Sequence, residues 1–113
     1  MNEQIREYIE KYPDEIIAMF TRIRQILLDS VEGAVEEKLW AKIPSWYAGE
    51  AFVRLIPFKD HINVEAAAIN QHKDEISGYK ITPKGMLQIG LKNEMPEEFL
   101  KKVFVETLNA YLR

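Results

Sequence analysis

Apolar residues change their spacing along this chain, and the changes mark out its elements. Ile5, Tyr8, Ile9 and Tyr12 recur three or four residues apart, which is one face of a helix, until Pro13 halts that helix and opens another. From about Asp14 to Ser30 a stripe of Ile16, Phe20, Ile23 and Leu27 runs on to Val31, widened by Ile17, Ile26 and Leu28. Asp14 and Glu15 occupy its first turn, where negative charge complements the helix dipole. Gly33 marks the exit, and beyond it the period falls towards two. Glu37 to Ala41, Ser45 to Ala48, Phe52 to Phe58 and Ile62 to Ala66 read as strands. Ile43-Pro44 separates the first two, Ala48-Gly49-Glu50 makes a hairpin, and Lys59-Asp60 turns the chain again. A brief helix is predicted around Ala68 to Ile76, a loop over Gly78 to Lys84, and a strand from Met86 to Leu91. Pro96 then opens an amphipathic helix bearing Phe99, Leu100, Val103, Phe104, Leu108 and Leu112.

Connections this short leave no room for crossover helices, so the strands form a meander. The predicted class is α+β: one antiparallel sheet of about four or five strands, packed against the N-terminal helices and a C-terminal helix. A single domain over residues 1–113 fits the length. Trp40, Trp46, Tyr47, Phe52 and Phe58 crowd the sheet region, as expected of a pleated, half-buried surface. Trp46 and Tyr47 are neighbours in one strand, so one of them must face away from the main core.

Composition narrows the function classes. Hydrophobic content of 47% with 29% charge is that of a chain able to bury a core, not of a disordered one. The absence of cysteine removes disulfides, thiolate zinc sites and thiol nucleophiles. With no apolar run of membrane-spanning length and no basic leader before a hydrophobic centre, the expected location is cytoplasmic, without membrane partners. Residues 1 to 37 hold nine acidic and four basic side chains, whereas the rest of the chain is weakly basic with its cations scattered. A field of that sign repels phosphate backbones, and no nucleic-acid partner is expected.

Few residues group in patterns that carry chemistry. Ser30, Ser45 and Ser77 lack a nucleophile-elbow context, and the five glycines are dispersed, so no catalytic motif stands out and the chain reads as non-catalytic. Glu3, Glu7 and Glu10 are spaced to line one face of the first helix, and Asp14 continues the line if the break at Pro13 is gentle, an acidic ridge that could attract iron, calcium or magnesium, or simply be a solvated face. Glu32, Glu36 and Glu37 form a second acidic group, readable as charge protecting a sheet edge. His61 follows a turn and His72 lies in a polar helix, without matched ligand spacing. On the sheet, Trp46, Lys59, His61 and Lys84 could surround a small anionic ligand, through charge and cation–π contact.

Four segments together resemble the YdhG-like family of small bacterial domains, over nearly the whole chain. They are the helical start from Ile5 to Pro13, Glu37-Lys38-Leu39-Trp40 running into Ile43-Pro44-Ser45-Trp46, Phe58-Lys59-Asp60-His61-Ile62, and Lys84-Gly85-Met86-Leu87-Gln88-Ile89. The resemblance implies an α+β domain with one antiparallel sheet backed by helices. Family members often carry glycine shortly before the proline of the first hairpin, where this chain has Ala41, Lys42 and Ile43. Some members are described as frataxin-like intracellular iron chaperones. The resemblance therefore implies weak iron binding, for which Glu3, Glu7, Glu10 and Asp14 are the candidate ligands. The alternatives are a module binding a small anion or a protein through the aromatic sheet face, and a structural homodimer; a monomer and a homodimer are both compatible with the sequence.

Overall fold

Periodicity of 3.6 at both ends and of two in the middle yields helices α1 (Glu3–Ile9), α2 (Asp14–Ser30), α3 (Ile69–His72) and α4 (Glu97–Leu108). Six strands accompany them: β1 (Glu36–Trp40), β2 (Ile43–Ala48), β3 (Ala51–Pro57), β4 (His61–Ala66), β5 (Lys80–Ile81) and β6 (Leu87–Gly90). These come from a computed structural model that describes residues 1–109; Leu112, expected on the apolar face of α4, lies outside them. All strands pair antiparallel in one sheet of order β1-β2-β3-β4-β6-β5. The α+β class holds, with one strand more than expected; β1 to β4 form a meander, and β6 instead of β5 lies beside β4. Among the described residues, no helix is long and apolar enough to cross a membrane.

The first hairpin departs from expectation. Ile43 and Pro44 do not separate two strands but begin β2, and a two-residue turn of Ala41 and Lys42 closes it. Pro44 is tolerated because the pairing of β2 with β3 starts only at Ser45 opposite Arg54, so its missing N–H interrupts no ladder there. Ala41 and Lys42 both take positive φ, 49° and 66°. That is the hand demanded by the tight turn between right-twisted strands, for which Asn-Gly is the unstrained choice. Side chains with a Cβ sit there at a cost of about 1 kcal/mol each. The next hairpin meets the same demand without strain, since Gly49 supplies the positive φ of 62°.

Alternation along the strands gives the sheet two unlike faces. Trp46, Ala48, Val53, Leu55, Ile62, Val64, Ala66, Leu87 and Ile89 are buried and face α2 and α4, which contribute Ile16, Phe20, Ile23, Leu27, Leu100, Val103, Phe104 and Leu108. Trp46, fully buried, meets Phe20 with ring centroids 6.0 Å apart. Among the described residues, no helix stands over the opposite face in the middle of the sheet; Trp40, Tyr47, Phe52, Arg54, Ile56, Asn63 and Glu65 share it by register.

Glu37, expected to be an exposed edge charge, lies on the covered side with Leu39. Its carboxylate accepts bonds from Arg24 Nε at 2.5 Å, the Asn2 backbone N–H at 2.7 Å and Trp46 Nε1 at 2.8 Å. Burial alone would raise its pKa; the hydrogen bonds from Arg24, Asn2 and Trp46 outweigh that and hold it below the usual value of 4.5. One side chain thus ties the start of α1, the middle of α2 and two strands together.

Candidate functional site

On the open face a cation is dried out by aromatic rings. Arg54 projects from the centre of β3, its guanidinium 3.7 Å from the Phe52 ring centroid and 4.0 Å from that of Trp40. It donates to Tyr47 Oη at 3.0 Å and to Ser45 Oγ at 3.3 Å, and Glu65 lies 3.7 Å away as its counter-charge. Arg54 is only 9% exposed although no helix covers it. Cation–π contacts of this kind gain strength as water is excluded.

Beside this cluster a cavity of about 660 Å³ opens where β3 begins and β4 ends. Phe52 and Glu65 belong to its floor, α3 and the turn after it contribute Asn70 and Lys73, and the β5–β6 hairpin overhangs it with Thr82 and Lys84. The hairpin owes its shape to Thr82-Pro83-Lys84-Gly85. Gly85 N–H donates to the Thr82 carbonyl at 2.8 Å, Thr82 N–H to the Met86 carbonyl at 2.8 Å, and Gly85 has φ of +86°. That is a turn followed by a left-handed glycine, and it carries Lys84 at its tip.

The opposite wall is tethered to α4. His72 Nδ1 contacts Glu75 and its Nε2 lies 2.9 Å from Glu106, while Lys102 Nζ reaches Glu75 at 2.5 Å. Hydrogen bonding to Glu75, and then to Glu106, raises the pKa of His72 above its ordinary value. Thr107 Oγ1 accepts the Ala68 N–H at 3.1 Å and also lines the cavity.

The four side chains expected around an anion do not meet. Trp46 is fully buried under the helices, with its indole N–H on Glu37, so it presents no surface to a ligand. Its neighbours on that face of β2, Pro44 and Ala48, are apolar, and parity carries it inward with them. Lys59 is exposed in the β3–β4 turn. His61 stacks on Phe58 at 4.3 Å, lies 2.7 Å from Asp60 through Nδ1, and borders a shallow cleft with Gln88 and Asn93. Lys84 lies at the other end of β4, roughly 15 Å away at the rise of an extended strand. Of the four, Lys84 alone lines the 660 Å³ cavity.

Glu3, Glu7, Glu10 and Asp14 are all exposed, and Glu3 is 3.3 Å from Arg6. Among the described residues, no three His, Asp or Glu side chains are grouped so that they could hold a metal ion. Sequence reasoning missed Arg54 and Lys73. Arg54 alternates with Phe52 and Ile56 and so was placeable on their face; an exposed lysine on a short polar helix gives no such signal. Comparison with family models, with curated proteins and with solved structures finds no match for this chain.

Proposed function

We propose that this protein is a non-catalytic binding domain that takes a small organic anion in the cavity between the β3–β4 sheet end, α3 and the β5–β6 hairpin. The observation that carries this reading is the charge left over in the lining. Glu65 is countered by Arg54 at 3.7 Å. Lys73 and Lys84 have no carboxylate within ion-pair distance among the described residues. Among the described lining residues, Glu50 alone opposes them. Two uncommitted ammonium groups from separate elements, above an aromatic floor, suit a carboxylate on a small apolar body. The volume lies within the range of small-molecule sites, roughly 300 to 1,000 Å³.

Titrating isotope-labelled protein with a panel of small mono- and dicarboxylates, and following amide shifts, tests this reading. At least one acid is expected to move Phe52, Lys73, Thr82 and Lys84 together and saturably. The double substitution Lys73→Gln and Lys84→Gln should weaken that acid by about tenfold or more, the effect of losing one to two charged contacts. No concerted movement of the lining with any acid of the panel would refute it.

A further inference from the structure

A second groove, of about 600 Å³, lies between α1 and the tip of the β1–β2 hairpin, well apart from the cavity above. Tyr8, Tyr12 and Leu39 give it an apolar wall, and Glu7, Lys11 and Lys42 stand along it. The two tyrosine rings are tilted against each other at 5.5 Å, and their hydroxyls are 3.0 Å apart. Each hydroxyl has one proton, so the bond between them uses one and leaves the other for a ligand. Burial, and then the bond to Tyr12, raises the pKa of Tyr8, so it stays a neutral donor at physiological pH.

The charges of this groove are uncommitted. Lys11 and Lys42 have no carboxylate within ion-pair distance among the described residues, Glu7 included. Lys42 is also one of the two strained turn residues, with φ of 66°. A hairpin turn of this hand prefers glycine at the second position, so the lysine is kept against conformational preference. Strain retained beside a groove is a common mark of a functional position.

We propose that this groove binds a small aromatic oxyanion, its ring against Tyr8, Tyr12 and Leu39 and its charged group held by Lys11, Lys42 and the spare tyrosine proton. The groove is too large for an inorganic ion to fill, and its wall is aromatic and aliphatic, so the ligand needs an organic body. A carboxylate and a phosphate both provide acceptors for this donor set.

The test uses the full labelled chain and four probes: benzoate, phenyl phosphate, phenol and acetate. Benzoate or phenyl phosphate, whichever oxyanion is favoured, should shift the amides of Tyr8, Lys11, Tyr12 and Lys42 saturably. Phenol and acetate, which lack the charge and the ring respectively, should bind roughly tenfold more weakly or worse. Lys42→Gly should raise the melting temperature by removing strain and, in the same protein, weaken the favoured probe by roughly tenfold, a split that a purely structural lysine would not produce. Lys84→Gln should leave binding at this groove unchanged, separating it from the cavity at the β5–β6 hairpin. Equal affinity for phenol, unaltered binding by the Lys42→Gly protein, or failure of every probe to move the groove amides would overturn the proposal.

Discussion

Glu37 and Arg54 are both charged residues largely shielded from water by the same sheet, and they reach that state by different means. Glu37 lies on the side roofed by helices, held by Arg24, Asn2 and Trp46, each donor coming from a different element. Arg54 lies on the side without a roof, and side chains of β1, β2 and its own strand, Trp40, Tyr47 and Phe52, close over it. On the covered face, burial of charge and assembly of the layers are one event. On the open face the shield is made of side chains that can move without unfolding anything. Such a surface can exchange contacts with a ligand, and the larger cavity lies on its border.

The comparison is broken most directly at Glu37. Replacement by alanine leaves the part-buried Arg24 and the buried Trp46 N–H without their acceptor, a loss of about 2–4 kcal/mol. Urea unfolding should show that loss as a lower midpoint. Its pH dependence supplies a second check. Because the folded carboxyl titrates below the usual 4.5, its contribution is complete above that value and disappears as pH falls through the lowered one. The stability gap between the natural protein and Glu37→Ala should therefore narrow in acid, and a gap that stayed constant would contradict the account.

A smaller effect is expected at Arg54. Alanine there removes the cation–π contacts and two hydrogen bonds but leaves the layers joined, for a loss of about 1–3 kcal/mol. If the shield is local, amide exchange should quicken in β1 and β3 near Trp40 and Phe52 while the core of α2 stays protected. A loss as large as that at Glu37 would erase the distinction between the faces. The smallest change, and of opposite sign, concerns Asn63 on the open face, whose Oδ1 is buried without a hydrogen-bond partner among the described residues. Asn63→Val removes that orphan and suits a strand, so thermal unfolding should show a gain of up to about 1 kcal/mol.

Much of this arrangement is written in residue spacing. The stripe from Ile16 to Leu27 placed α2, and the alternation from Phe52 to Ala66 placed β3 and β4. Pro44 misled because proline usually interrupts a ladder, and whether it does depends on which neighbour needs its N–H, a matter of register. β5 has only two residues, Lys80–Ile81, too few for any alternation to show. Trp46 looked like a binding residue because it is aromatic, yet its parity with Ala48 places it in the core. Glu37 shares the parity of Leu39, and that parity outweighed its charge because Arg24, some distance away in sequence, was waiting for it. Lys84 lines the larger cavity, and Thr-Pro-Lys-Gly explains its position. Its companion Lys73 comes from a different element, and no local pattern announces such a convergence.

The two tryptophans occupy opposite sides of the sheet in contrasting surroundings. Trp46 has no solvent contact, while Trp40 is 49% exposed. Indole emission moves to longer wavelength as water gains access, so the molecule carries two intrinsic dyes of different colour, one sensing whether the helical roof is seated and the other sensing the uncovered side. Dissolved quenchers reach only the latter while the chain is folded, which allows a single cuvette to separate an event on the bare surface from loosening of the roof.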